Sequence, residues 1–188
     1  NNLIERVFGA GEGFPGDRDG DKSQDHSYVL IDIPEGIDNF ANTEIFGAGA
    51  YKGLGMRYPA ADTFDGTVNI NEASAVIDLM RGRVSAAYGG SYEEGVTRRT
   101  LVNVPEKSTI KINNIFGGAY GMHILPPCDV YEANVNYLSG DARVNGAIYG
   151  GNNNVRRTLY SKVNVSAPVL KENGYSGTIY GAGRGEYS

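Results

Sequence analysis

Hydrophobic and polar residues alternate along much of the chain with a period of two, which is typical of β-strands whose side chains point to opposite faces. The clearest segments place one polar residue between two apolar ones. They are Ile31-Asp32-Ile33, Val68-Asn69-Ile70, Val102-Asn103-Val104, Val135-Asn136-Tyr137 and Val163-Asn164-Val165. Helical periodicity is almost absent, and the one ambiguous segment, Asn71 to Gly82, is predicted as a strand. The pattern therefore predicts an all-β protein.

A second motif alternates with these segments and consists of an apolar residue, an aromatic residue and two small residues. Its copies are Val7-Phe8-Gly9-Ala10, Ile45-Phe46-Gly47-Ala48, Ala87-Tyr88-Gly89-Gly90, Ile115-Phe116-Gly117-Gly118, Ile148-Tyr149-Gly150-Gly151 and Ile179-Tyr180-Gly181-Ala182. Successive aromatics are 38, 42, 28, 33 and 31 residues apart, a spacing typical of solenoids, propellers and arrays. Because one such repeat cannot cover its own apolar face, we expect the repeats to stack and bury a continuous core.

These irregular repeats of 28 to 42 residues predict a parallel β-solenoid, similar to a right-handed parallel β-helix, as a single domain over residues 1–188. A β-propeller is the alternative, although one blade needs four strands from about 40 to 50 residues. The polar stretches 11–27, 51–65 and 121–130 are predicted to be long loops that project from corners. Because the motifs run almost to both ends, we expect the chain to be a fragment of a longer protein.

Neighbouring side chains of the aromatic motif should point to opposite faces of their strand. The position before the aromatic is apolar in every copy, so we predict that this column is the core and that Ile115 and Ile148 are equivalent in neighbouring repeats. The aromatic column is expected to pack, with tyrosine hydroxyls that reach water. The glycine that follows is predicted to take positive φ at a sharp corner.

Stacked aromatic rings on a solenoid face would also suit sugar rings, which gives the aromatic column a second interpretation. The candidate ligand-binding aromatics are Tyr88, Phe116, Tyr149 and Tyr180.

Two arginine pairs, Arg98-Arg99 and Arg156-Arg157, each precede Thr-Leu, and we interpret them as equivalent positions of two repeats. They are candidates for binding an acidic glycan or for the base chemistry of a β-helix polyuronate lyase. A structural role is favoured, in which they open a strand at the surface and pair with Glu93, Glu94 or a neighbouring repeat.

One group of carboxylates has spacing that resembles a metal site: Asp17, Asp19, Asp21 and Asp25. Alternating carboxylates in a glycine-containing loop can supply the oxygen ligands that calcium prefers. The EF-hand pattern fails, however, because Gly20 stands at loop position 4 where position 6 is required, and Tyr28 stands at position 12 where Glu is required. A solvated acidic loop is favoured, so no cofactor is expected, and calcium is the alternative.

Charge and composition exclude several functional classes. A formal charge of −5 argues against a nucleic-acid surface, which normally carries a basic stripe. The single Cys128 cannot form an internal disulfide. No apolar run approaches the ~18 residues of a membrane span, and neither His26 nor His123 lies near a Ser or Cys nucleophile pattern.

The apolar-aromatic-Gly-small unit, alternating with Val-Asn-Val and joined by Arg-Arg-Thr-Leu, resembles the glycine-rich Y-G-G repeat proteins of the Bacteroides group. The resemblance covers the whole chain and implies a secreted or cell-surface β-solenoid. We therefore expect a non-catalytic extracellular or cell-surface module, structural, adhesive or glycan-contacting, with a glycan or another surface protein as partner. The alternative is a calcium-dependent polysaccharide lyase or hydrolase of the β-helix class.

Overall fold

The computed structural model describes residues 4–11, 26–37, 39–50, 74–93, 95–121, 129–154 and 157–185. Strands account for 53% of the structure, which confirms the all-β prediction. None of the described residues is helical, so this part of the chain contains no helix long and apolar enough to cross a membrane. The predicted loop 51–65 lies outside the described residues, as do most of 11–27 and 121–130.

Two large sheets and one short sheet contain all the named strands. The first, called here the aromatic sheet, consists of β1 (Arg6–Phe8), β3 (Glu44–Phe46), β5 (Arg83–Tyr88), β7 (Lys111–Phe116), β10 (Arg143–Val144), β11 (Ala147–Tyr149) and β14 (Thr178–Tyr180). The second, the valine sheet, consists of β2 (Ser27–Asp32), β4 (Ala75–Arg81), β6 (Thr97–Val104), β9 (Val130–Tyr137) and β13 (Thr158–Val165). The short sheet pairs β8 (Tyr120–Gly121) with β12 (Asn153–Asn154). The strand predicted within Asn71 to Gly82 is confirmed as β4.

All pairings between these strands are parallel. In both large sheets the strand order follows the chain order, β1-β3-β5-β7-β11-β14 and β2-β4-β6-β9-β13, with β10 also beside β7. From β1 to β7 the chain thus adds one strand to each large sheet in turn. Parallel neighbours need long crossover connections, which explains why the two sheets are built alternately.

The main core lies between the aromatic sheet and the valine sheet. Fully buried side chains from both sheets meet there, including Ile45, Ala87, Ile115 and Ile148 from the aromatic sheet and Ile77, Val102 and Val135 from the valine sheet. Ile148 is paired in register with Ile115, and Ile45 with Ala87. The equivalence of Ile115 and Ile148 is therefore confirmed, and so is the burial of the apolar column from Ile45 to Ile148. At the two ends of the column the prediction is wrong, because Val7 is half-buried and Ile179 is 42% exposed.

The Val-Asn-Val segments align in register only in the second half of the chain. Asn103, Asn136 and Asn164 form one column, which Asp78 and Leu30 continue on β4 and β2. The first copy, centred on Asp32, is thus displaced by two residues from this column, and Val68 to Ile70 lie outside the described residues. A two-residue offset keeps each side chain on its original face because the strand period is two.

The glycine after each aromatic has a different role from the predicted one. Positive φ among the described glycines occurs at Gly36, Gly82, Gly95 and Gly174, none of which follows a motif aromatic. A Cβ on Gly89 would instead lie 2.2 Å from the carbonyl oxygen of Gly117, the equivalent residue on the next strand of the sheet. A Cβ on Gly47 would likewise lie 2.3 Å from the oxygen of Gly89. Glycine is required here because successive strands approach too closely for any side chain.

Candidate functional site

The six motif aromatics form one continuous stack on the face of the aromatic sheet that points away from the main core. This stack, called here the aromatic ladder, consists of Phe8, Phe46, Tyr88, Phe116, Tyr149 and Tyr180. Neighbouring ring centroids are 4.6 to 5.2 Å apart, with interplanar angles of 5° to 20°. The ladder follows from the register, which places each aromatic directly beside the next.

A second stack covers the first half of the ladder. Tyr92 and Tyr120 lie 5.4 Å apart and parallel to one another. Tyr92 makes an edge contact with Phe46 at 5.3 Å, and Tyr120 makes one with Tyr88 at 5.5 Å. The guanidinium of Arg6 lies 4.5 Å above the centre of the Tyr92 ring, a cation–π arrangement. We call Tyr92 and Tyr120 the tyrosine cover.

Burial by the cover makes the middle of the ladder a small second core. Phe46, Tyr88 and Phe116 are 0%, 4% and 1% exposed. Burial raises the pKa of the Tyr88 phenol, partly offset by a side-chain hydrogen bond to Asn153. The prediction that motif tyrosines reach water is therefore wrong for Tyr88, whose hydroxyl lies in the interior. Burial, and then a hydrogen bond to Glu93, raises the pKa of Tyr92 to about 12.

The rings of the ladder become more exposed to solvent towards its C-terminal end. Tyr149 is half-buried, and Tyr180, the last ring of the ladder, is 49% exposed. Of the four aromatics predicted as ligand-binding residues, Tyr88 and Phe116 thus lie in packed surroundings. Tyr149 and Tyr180 are the two that solvent reaches.

A cleft of about 360 Å³ lies near this open end, between the short sheet, the start of β13 and residues 182–185. The charged residues that line it are Arg157 and Arg184, with the hydroxyls of Thr158 and Ser161 beside them. Asn152, Asn154, Ala182, Gly183 and Gly185 complete the lining. As far as the structure describes it, the lining therefore contains hydrogen-bond donors and two cations but no carboxylate.

The described arginines of the two predicted pairs lie in contrasting surroundings. Arg99 is buried and its Nε donates to the carboxylate of Glu132 on the neighbouring strand, where the two side chains are 10% and 4% exposed. Arg98 is exposed. Arg157 is exposed and lies 3.3 Å from the carboxylate of Asp129, while Arg156 lies outside the described residues. Pairing with a neighbouring repeat is thus observed for Arg99, through Glu132.

The interpretation that the two arginine pairs are equivalent is wrong. Arg99 is in register with Glu132, and Glu132 is in register with Tyr160. Because Tyr160 follows Arg157 by three residues, Arg157 lies just before β13, whereas Arg99 lies within β6. The cause is the Tyr160-Ser161-Lys162 segment, which has no counterpart between Leu101 and Val102 and separates the second pair from its Val-Asn-Val segment.

The proposed calcium ligands Asp17, Asp19, Asp21 and Asp25 lie outside the described residues. Within the described ranges, no group of three or more His, Cys, Asp or Glu side chains is placed to hold a metal ion.

Sequence reasoning missed the tyrosine cover and Arg184, although a signal was present. Tyr92, Tyr120, Asn153 and Arg184 each stand four residues after a motif aromatic, and they form one register column. The column is aromatic, with Tyr92 and Tyr120, beside the buried part of the ladder. It is polar, with Asn153 and Arg184, towards the solvent-exposed end of the ladder.

Comparison of the chain with models of known protein families, with curated proteins and with solved structures finds no match.

Proposed function

We propose that this chain is a parallel β-solenoid that serves as a non-catalytic extracellular or cell-surface module and contacts an acidic glycan. Parallel pairing of all the named strands, strand order equal to chain order and columns of like residues support a stack of coils, each of which we call a rung. A propeller is disfavoured because its blades are antiparallel sheets. The proposed location rests on the resemblance to the Y-G-G repeat proteins.

The proposed ligand follows from the cleft that Arg157 and Arg184 line. Guanidinium groups bind carboxylates through paired, charge-assisted hydrogen bonds. The hydroxyls of Thr158 and Ser161 donate to Asn152 and to the carbonyl of Gly181, so each has an acceptor lone pair left for a sugar hydroxyl. Tyr180 lies two residues before Ala182, which lines the cleft. Its ring is 49% exposed, so a sugar can stack on it. Together these groups suit a polysaccharide that carries uronic acids.

The same lining favours binding over catalysis. A lyase or glycosidase needs a general base or a pair of carboxylates at the reacting sugar. The described residues that line this cleft supply neither a carboxylate nor a lysine or histidine. A module that holds the glycan without cleaving it is therefore the better interpretation.

The experiment is a glycan array followed by titration calorimetry with an oligouronate and with its neutral counterpart. We expect the oligouronate to bind and the neutral oligosaccharide to bind far more weakly. Arg184→Ala should weaken binding roughly tenfold to a hundredfold, the loss typical of a hydrogen bond to a charged group. Arg81→Ala is the control, because Arg81 is also an exposed arginine but pairs with Asp32 and lies outside the cleft.

Equal binding of the neutral and acidic sugars, or an equal effect of Arg81→Ala, would contradict the proposal. A parallel activity screen on acidic polysaccharides with added calcium tests the enzyme alternative. Release of unsaturated or shortened oligosaccharides in that screen would favour the lyase or hydrolase. Binding to a protein on a cell surface, without any glycan, would favour an adhesive module.

A further inference from the structure

Three cationic side chains form a column on the aromatic sheet, one on each of three neighbouring strands. Arg83 on β5 is in register with Lys111 on β7, and Lys111 is in register with Arg143 on β10. Each is followed by an apolar residue that is buried in the main core, so the three side chains point away from that core. We call Arg83, Lys111 and Arg143 the basic column.

The basic column lies within the stack and not at either end of it. Strand β5 has β3 and β7 as neighbours, and β7 has β5 on one side and β10 and β11 on the other. Arg143 is bridged in turn to Leu170. Arg83 and Lys111 are 39% and 50% exposed. Because neighbouring strands are about 4.8 Å apart, the column presents positive charges to solvent at about that spacing along the stack.

A carboxylate of the chain itself is bound on this column. Both terminal nitrogens of Arg83 donate to Glu172, one of them at 2.9 Å. The side-chain amide of Asn145 donates to the same carboxylate at 2.7 Å, and Nζ of Lys111 lies 3.7 Å from it. The bonds from Arg83 and Asn145 lower the pKa of Glu172 to about 2. These groups therefore form a site that favours an ionised carboxylate.

The donors of this site belong to the sheet, whereas a surface connection carries the carboxylate. Glu172 lies between β13 and β14, in a turn in which the Gly174 amide donates to the Lys171 carbonyl at 3.0 Å. Its side chain is 31% exposed. The backbone amide of Glu172 donates separately to Oδ1 of Asn145 at 3.0 Å, so the connection keeps an attachment when the carboxylate leaves. The carboxylate of a ligand can thus replace that of Glu172 without any change in strand pairing.

Uncharged polar side chains lie beside the basic column on the same face. Ser85, Asn113 and Asn145 each stand two residues after a member of the column, and strand side chains two residues apart share a face. Asn113 is exposed, and the other two are half-buried. Strands inside a sheet use their backbone groups in the ladder, whereas an extended peptide binds at a free sheet edge. A polymer with a carboxylate and several hydroxyls on each unit therefore suits this surface better than an acidic peptide.

We propose that the basic column is a second binding site for a linear acidic polysaccharide, which lies along the stack across β5, β7 and β10 and displaces the Glu172 carboxylate from Arg83 and Lys111. The three cations and Glu172 together carry a formal charge of +2, so the column attracts an anion even with Glu172 in place. The class of ligand rests on the proposed function, but no residue of the cleft takes part.

Titration calorimetry with an oligouronate tests the column, both in the parent chain and in Arg184→Ala, which weakens the cleft. In either background, Lys111→Ala should weaken binding roughly threefold to tenfold, between the effect of an exposed ion pair and that of a hydrogen bond to a charged group. It should also make the affinity less dependent on salt, because fewer counterions are released from the polyanion. Lys162→Ala is the matched control, since Lys162 is also an exposed strand lysine but lies on the valine sheet, and it should leave binding unchanged.

Glu172→Gln distinguishes a displaceable carboxylate from a purely structural one. We expect this variant to bind the oligouronate severalfold more tightly than the parent, because Arg83 and Lys111 no longer contact a charge of the chain itself. Unchanged or weaker binding by Glu172→Gln would overturn the proposal, as would equal effects of Lys111→Ala and Lys162→Ala. Tighter binding of a polyglutamate peptide than of the oligouronate would also overturn it. If Arg184→Ala binds like the parent while Lys111→Ala binds weakly, then the cleft proposal fails and the column proposal stands.

Discussion

The tripeptide Ile-Tyr-Gly occurs twice in neighbouring positions of the aromatic sheet, and its two copies have very different surroundings. Ile148 is fully buried, whereas Ile179 is 42% exposed. A Cβ on Gly150 would lie 2.3 Å from the oxygen of Gly181, whereas a Cβ on Gly181 would meet nothing. The local sequence is the same, so the difference comes from the neighbouring strands, because β11 lies between β7 and β14 whereas β14 is the last strand of the sheet. The motif therefore supplies a surface for stacking, and the stacked neighbour supplies the burial.

The largest expected difference in the free energy of unfolding between interior and end is that between Arg99→Ala and Arg157→Ala. Removal of Arg99 leaves the Glu132 carboxylate buried without its cation, which typically costs about 3–5 kcal/mol. Arg157 is 69% exposed and its partner Asp129 is 18% exposed, so the pair lies at the surface, where a cost of about 0–1 kcal/mol is typical. The measurement is the free energy of unfolding in urea. A similar small cost for both variants would show that the interior pair is as well solvated as the terminal one.

A control separates the charge from the packing. The double variant Arg99→Leu with Glu132→Leu removes both charges at once and should recover most of the stability that Arg99→Ala loses, because an apolar pair needs no ionic partner.

The second test compares Ile148→Ala with Ile179→Ala. Truncating a buried isoleucine costs about 2–5 kcal/mol through lost transfer energy and a cavity. Ile179 is already partly in water, so its truncation should cost clearly less than that. Urea unfolding of both variants, at a concentration where the chain is monomeric, gives the two values. Equal losses would mean that the last strand is as well covered as the interior.

Features that recur once in each sequence repeat could be predicted from the sequence. The apolar column through Ile45, Ile115 and Ile148 recurs at one fixed place in each motif, so its burial and register follow from stacking alone. The same holds for the aromatic ladder. The parallel sheets follow as well, since equivalent strands that lie beside one another must run in the same direction.

Contacts between residues of two different sequence repeats could not be predicted from the repeat pattern. The Arg99 to Glu132 pair joins residues 33 apart, and only the register shows that they are neighbours. Glycine is required after the aromatic for a similar reason, because a side chain on Gly89 would collide with the oxygen of Gly117 on the neighbouring repeat. The position of Arg157 differs from that of Arg99 because Tyr160, Ser161 and Lys162 separate it further from its Val-Asn-Val segment, which leaves it just before β13.

The third test compares Gly150→Ala with Gly181→Ala. The Cβ at position 150 would require two strands to move apart against the ladder hydrogen bonds, and overpacking of this kind typically costs about 1–3 kcal/mol. The Cβ at position 181 should leave the stability of the monomer unchanged. Thermal unfolding measures both, and an equal fall in Tm would place a further backbone segment against Gly181.

The smallest expected effect concerns Glu172, which links the connection before the last strand to the interior of the stack. Its carboxylate accepts hydrogen bonds from both terminal nitrogens of Arg83 on β5, and a third from Asn145 at 2.7 Å. Lys111 on β7 lies 3.7 Å away. The bonds from Arg83 and Asn145 lower the pKa of Glu172 to about 2, although burial opposes them.

Because the pKa of Glu172 is lower in the folded chain than its value of about 4.3 in an unfolded chain, the ionised carboxylate stabilises the fold above about pH 4.3. This contribution should disappear as the pH falls from there towards 2. Glu172→Gln should therefore have a slightly lower Tm than the parent at neutral pH, and the gap should close on acidification. Solvent screening keeps the gap small, since the carboxylate is partly exposed. Glu106→Gln, at another exposed glutamate, is the control and should show no such convergence. If the Tm gap between the parent and Glu172→Gln were the same at pH 7 and pH 2, then the carboxylate would not hold the last rung through its charge.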